Sequence, residues 1–156
     1  MTRLVNTLAS TDVHISVVDA LLRFGAGTDD GDVVALKSAF AGDAVVDFSA
    51  CGRSIGLDFA PLRGADTIVS FLEGTSQHQM TSHVVTNSRV HLNDDRAHLR
   101  ALVDATHVIR DDPARRFRMM NWYETDLVLI DGLWRIVRMA IDNIWAEGDA
   151  TVLFVR

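Results

Sequence analysis

The 156-residue chain carries a formal charge of −6, with 48% hydrophobic and 23% charged residues, the balance of a single water-soluble globular domain and far from that of a disordered chain. Its 15 basic residues are scattered, which argues against a phosphate-binding surface and so against nucleic acid as a partner. Cys51 is the one cysteine, which excludes an internal disulfide and a cysteine-based metal site and points to a reducing cytoplasm.

The opening MTRLVNTLASTDVH lacks the apolar core of a signal peptide, and no run reaches the roughly 18 apolar residues of a membrane span, so neither export nor membrane insertion is expected. Val13, Val17, Val18, Leu21, Leu22 and Phe24 recur at helical spacing behind the capping oxygens of STD at 10–12, and predict an amphipathic helix over 13–25. GTDDGD breaks that pattern before VVALKSAFA forms a short second helix, stopped at Gly42 and Asp43. AVVDFS at 44–49 reads as a strand, and 50–64 as a long loop. Ile68, Phe71 and Leu72 mark a third helix. Strands are then expected over 81–92, 96–110, 116–130 and 133 to about 145, separated by NDD, DDPA and DG, compact turns suited to antiparallel hairpins. The segregation of helices from strands makes the whole chain, 1–156, one α+β domain.

Strand alternation assigns faces. Along 96–110 the odd positions Ala97, Leu99, Ala101, Val103, Ala105, His107 and Ile109 form an apolar face that includes His107. Along 116–130 the odd set holds Phe117, Met119, Leu127 and Leu129 together with Asn121 and Tyr123. In the last strand Arg138 shares a face with Trp134 and Ile136, although Leu133, Val137 and Met139 make the other face apolar too. His83 and Val85 share a face with Arg89 and His91, so that strand either leaves the core or contains a bulge. Polar groups collected on an apolar face must find partners, since each unpaired one costs about 1–3 kcal/mol. Met120, Trp122, Val128 and Ile130 stand on the opposite face, interspersed with charge, and an apolar patch there predicts a homo-oligomer, at least a dimer, packed through that face.

The paired helices running into GTDDGDVVALKSAFAGDAVVDF, the RGADTIVSFL helix, TSHVVTN, and the YETDLVLIDGLWRIVR hairpin followed by NIWAEGD resemble, in that order and over nearly the whole chain, the SnoaL-like branch of the nuclear-transport-factor-2-like superfamily. The resemblance implies a cone-shaped α+β barrel, with three N-terminal helices packed over a curved antiparallel sheet and a pocket inside. In its scytalone dehydratase-like and bile-acid dehydratase-like enzymes a catalytic histidine matches His83, and an aspartate paired with it matches Asp29. Five residues before that aspartate those enzymes have a tyrosine; this chain has Phe24. A second inward histidine is similar in placement to His107, a polar pair on the next strand to Asn121 and Tyr123, and a pocket arginine to Arg138.

The activity so implied is that of a cofactor-independent acid–base lyase or isomerase, dehydratase-like, acting on a hydrophobic cyclic or polycyclic small molecule. An imidazole backed by a carboxylate is held in one tautomer and made more basic, as a general base near neutral pH requires. His83 with Asp29 would take the proton, His107 or Tyr123 would protonate the departing oxygen, and Asn121 and Arg138 would hold a developing enolate. Phe24 and Trp145 join them as candidate substrate contacts. No metal and no cofactor is expected, because His14, His78, His91 and His98 show no ligand spacing.

Each residue also has a plainer reading. A histidine in a half-buried strand is more often a satisfied structural residue, and Asp29 lies in a segment where Asp30 or Asp32 would cap a helix. His107 and Tyr123 are equally suited to buried hydrogen bonding, Asn121 to satisfying the backbone, and Arg138 to a surface ion pair. Trp122, Trp134 and Trp145 fit the core or an interface as well as a pocket wall. Two functional alternatives follow from the fold: a non-catalytic binding or structural subunit, such as the small subunit of a ring-hydroxylating dioxygenase, and a polyketide cyclase. No G-x-S-x-G elbow or phosphate-binding glycine loop supports a serine hydrolase or a nucleotide site.

Overall fold

The first helix, α1 (Thr11–Asp30), runs past the glycines expected to end it and stops at Gly31, whose φ of 68° is the left-handed cap. Gly25 and Gly27 stay helical because neighbours approach them closely. A Cβ on Gly25 would lie 3.2 Å from His83 Cβ, and one on Gly27 only 2.6 Å from the backbone nitrogen of Leu36. The computed structural model, which describes residues 9–155, continues with α2 (Val33–Ser38), β1 (Phe40–Asp47), α3 (Ser49–Ser54), β2 (Leu62–Arg63) and α4 (Ala65–Ser76). Then come β3 (Gln79–Asn93), β4 (Arg96–Ile109), β5 (Asp112–Ile130), β6 (Leu133–Gly148) and a 3-10 helix over Ala150–Phe154. Residues 1–8, part of the stretch read for a leader, lie outside the described residues. Among those described, no helix is long and apolar enough to cross a membrane.

The segment read as a long loop thus contains α3 and the short strand β2. Asp32 caps α2, its carboxylate accepting from the backbone of Val34 and Ala35 at 3.0 Å, so the capping role falls to Asp32 and leaves Asp29 free. The sheet order is β2-β1-β6-β5-β4-β3. Strands β3 to β6 form the expected antiparallel meander, and β1 joins it in parallel beside β6. The helices cover one face, with α1 against β3 and β6 and α4 against β1. This makes the cone-shaped α+β architecture, whose core includes Val17, Leu21, Phe40, Ile68, Leu99 and Ile136.

Bulges decide which side chains enter the cone. In β3, Asn87 (φ 52°) and Ser88 face Ala101 alone, so the inward set passes from His83 and Val85 to Val90 and Leu92. Arg89 is thereby turned out to solvent. In β6, Val137 is an extra residue between the pairs Asp126–Arg138 and Leu127–Ile136, and Ile144 another between Met120–Trp145 and Asn121–Asn143. Each bulge exchanges the two faces for the residues that follow it.

On the outer face, ion pairs cross the residues from which assembly was expected. Arg118 reaches Asp104 at 2.5 Å and Arg100 reaches Glu124 at 2.7 Å. His98 sits between Glu124 (2.9 Å) and Asp126 (2.8 Å), and the Arg100 guanidinium lies 3.8 Å from the centre of the Trp122 ring.

The close approach of α1 and α2 at Gly27 generates a prediction. Gly27→Ala should lower stability by about 1–3 kcal/mol, because its methyl group meets backbone that cannot swing away. Gly74→Ala in α4 has open space within 4 Å and should be neutral or stabilising by up to about 1 kcal/mol. Urea unfolding of both variants checks the contrast, and equal midpoints would contradict it.

Candidate active site

Asp29, in the last turn of α1, holds the start of β3 through three contacts. It accepts the Thr81 hydroxyl on Oδ1 (2.8 Å), the His83 backbone N–H on Oδ2 (2.7 Å) and His83 Nδ1 on Oδ1 (2.6 Å). Burial would raise its carboxyl, but the hydrogen bonds and charge of His83 outweigh that and hold it below the ordinary carboxylate value. An ionised carboxylate only accepts, so a hydrogen lies on His83 Nδ1 and Nε2 is the ring nitrogen turned away from Asp29. The His83 side chain is 6% exposed, and Nε2 has no hydrogen-bond partner among the described residues.

The ring lines a cavity of about 100 Å³. Phe24, Phe48, Phe59 and Phe71 make its walls largely aromatic, and His83, His107, Asn121 and Tyr123 are among its few polar groups. That composition suits a small apolar ligand oriented by a few hydrogen bonds. Phe24 stands 5.5 Å, centre to centre, from His83 and 6.1 Å from Tyr123, so it packs edge-on where a tyrosine was expected by resemblance. His107 lies 6.1 Å from His83, and its Nδ1 is 2.9 Å from Gln79 Oε1. Burial, and secondarily the charge of His83, push His107 down to about 3, so the ring is neutral at physiological pH.

Tyr123 is raised above the usual phenol range by burial, and its hydroxyl, with no protein partner among the described residues, stays a proton-bearing donor. Asn121 is 1% exposed and accepts Asn143 Nδ2 at 2.9 Å on Oδ1. Cys51 is pushed up to about 11 by burial, which keeps it a thiol.

Two expected contacts are corrected. Arg138 leaves the face of Trp134 and Ile136 because of the bulge at Val137; its side chain is 55% exposed and lies 3.9 Å from Asp126 on the outer surface. Trp145 is turned out by the bulge at Ile144, is 40% exposed, and has the Arg118 guanidinium 5.4 Å from its ring centre. Neither lines the cavity. Trp134 packs in the core. Thr81 and Gln79 were missed, although both share the inward parity of His83 at two-residue spacing.

A family model described as the SnoaL-like domain matches residues 11–140. The chain belongs to the SnoaL-like domain family. A curated relative, terrestric acid biosynthesis cluster protein E of Penicillium crustosum, is 28% identical over 144 residues, 88% of this chain and 86% of its own. Two solved structures from Novosphingobium aromaticivorans share the SnoaL-like fold. One carries the name aromatic ring hydroxylase (TM-score 0.80, 23% identity, 93% of this chain and 99% of that one). The other carries the name scytalone dehydratase (TM-score 0.76, 19% identity, 94% of each).

Within this SnoaL-like cone, His107 makes stability depend on pH with a definite sign. Between its ordinary value of 6.5 and the folded value of about 3, the unfolded chain binds a proton that the native chain does not. Its contribution is therefore complete above 6.5 and is lost as pH falls through that window, by at most about 1.4 kcal/mol per pH unit. His107→Gln should flatten the acid limb of a stability–pH curve measured by urea unfolding. An unchanged slope would show that His107 takes up its proton freely in the native state.

Proposed function

We propose that this chain is a cofactor-independent acid–base lyase or isomerase acting on a hydrophobic cyclic small molecule, with His83 as general base and Asp29 as its orienting carboxylate. The observation that carries this reading is the Asp29 Oδ1 to His83 Nδ1 contact of 2.6 Å behind a ring that opens on an aromatic cavity. His83 Nε2 takes a proton from the carbon α to a carbonyl or from the carbon adjacent to the one that bears the leaving hydroxyl, and Asp29 stabilises the imidazolium that forms. In dehydration the electron pair of that C–H bond becomes the new double bond and the C–O bond breaks. The imidazolium gives its proton to the departing oxygen, so water leaves and the base is restored. In isomerisation the proton returns to a different carbon. The Tyr123 hydroxyl hydrogen-bonds the oxygen on which charge develops, and the Asn121 amide supports it.

His107 enters this scheme as a neutral ring, which removes it as the acid. Among the alternatives, a structural subunit is served best by a filled cone, whereas an aromatic cavity with unpartnered polar atoms favours a ligand. A cyclase would use the same base on an enolisable chain.

A screen of enolisable cyclic alcohols and ketones for water loss or double-bond shift tests the reading. Turnover of at least one member is expected, falling by about 10²–10⁴-fold in His83→Ala and nearly as far in Asp29→Asn, which keeps the shape but loses the charge. A His83→Ala variant at wild-type rate would remove His83 as the base. Tyr123→Phe should lower kcat by about 10²-fold with little loss of stability. If stability falls and turnover holds, Tyr123 is a packing residue.

A further inference from the structure

Gln79, the first residue of β3, is 1% exposed, and both polar atoms of its side chain have partners. Its Nε2 lies 2.9 Å from the carbonyl oxygen of Val152 and 3.0 Å from that of Val155, at the C-terminal 3-10 helix. Only the NH₂ end of an amide can face two carbonyl oxygens, so the side chain has one orientation. Oε1 is then the atom 2.9 Å from His107 Nδ1. An amide oxygen only accepts, so Nδ1 must carry the hydrogen, and a neutral His107 keeps a bare Nε2 on the far side of its ring. His107 lines the cavity, and no protein donor meets Nε2 among the described residues. The charged groups acting on His107 are His83 and Asp29, which already hold each other.

We propose that Gln79 is a positioning residue that holds His107 as a hydrogen-bond acceptor, so that the cavity selects cyclic ligands carrying a hydroxyl group opposite His107 Nε2. The ligand preference rests on the reading of the cavity as a substrate site. A ligand that covers Nε2 without offering that hydroxyl leaves the nitrogen unpaired, which costs affinity. Tyr123 donates and His107 accepts, so a hydroxylated ligand with a carbonyl or second oxygen satisfies both. The anchor on the 3-10 helix makes this preference depend on the end of the chain being docked.

Histidine ring nitrogens in ¹⁵N-labelled protein give the first test, with His107→Gln assigning the signal. A neutral ring with hydrogen on Nδ1 and none on Nε2 is expected from neutral pH down to about pH 5. Hydrogen on Nε2, or protonation above about pH 5, overturns the assignment. The second test compares 2-naphthol with 2-methoxynaphthalene by calorimetric titration. The naphthol should bind about tenfold or more tightly, and the ratio should collapse in Gln79→Met and, should that variant not fold, in His107→Leu. Equal wild-type affinities, or no affinity for either compound, overturn the selectivity, as does a ratio that survives both substitutions. None of these readouts needs turnover. A chain with the expected tautomer and ratio but no lyase activity would sink the proposed reaction and leave Gln79 in its role.

Discussion

One carboxylate joins the two halves of this fold. Asp29 takes the hydroxyl of Thr81, the backbone N–H of His83 and the imidazole of His83, and so ties the last turn of α1 to the first residues of β3. A half-buried charge is tolerable only when its lone pairs are filled, and here three donors from one strand fill them. Removing any one donor leaves the charge under-satisfied, so the contact behaves as a unit. Position matters as much as partnership. Asp29 reaches β3 because Gly25 carries no Cβ where one would lie 3.2 Å from His83 Cβ, and Gly27 lets α2 fold back against the same helix.

The consequence is a pair of histidines of the same kind with different chemistry. His83 is backed by an anion and His107 by a neutral amide, and the rings stand 6.1 Å apart. Burial and the nearby His83 ring oppose a positive charge at His107. The Nε2 atoms of the two rings, with a phenol held protonated beside them, set a few polar groups in an otherwise apolar, aromatic-rich enclosure. The opposite face of the sheet has its charges paired across strands, as Arg118 with Asp104 and Arg100 with Glu124. The sheet thereby separates an apolar interior from an outer face on which paired charges are interspersed with exposed apolar side chains such as Val84 and Trp145.

Much of the site was legible before any coordinates. Alternation along β4 and β5 placed His107, Asn121 and Tyr123 inside, because side-chain direction in an unbroken strand is a local property of the backbone. The order of elements carried the family resemblance, and with it Asp29 and His83. Two expected pocket residues lay beyond an interruption: Arg138, suggested by the resemblance, and Trp145 follow bulges at Val137 and Ile144.

The amino-acid sequence by itself therefore determined the α+β class, the meander, the inward residues of β4 and β5 and the absence of an internal disulfide. Each of these follows from residue type and short-range period. Only the tertiary structure decided the rest. A bulge is two residues against one on a partner strand, so the facing of Arg138 and Trp145 is a property of the pairing and not of β6 alone. The glycines at 25 and 27 read locally as breakers, yet they remain helical because backbone and side chains distant in sequence pack where a Cβ would stand. Gln79 acquires its role from carbonyl groups more than 70 positions away, at separations of 73 and 76 residues. An amide donates at one end and accepts at the other, and which end faces His107 is set by the two carbonyl groups of the C-terminal turn that take its NH₂.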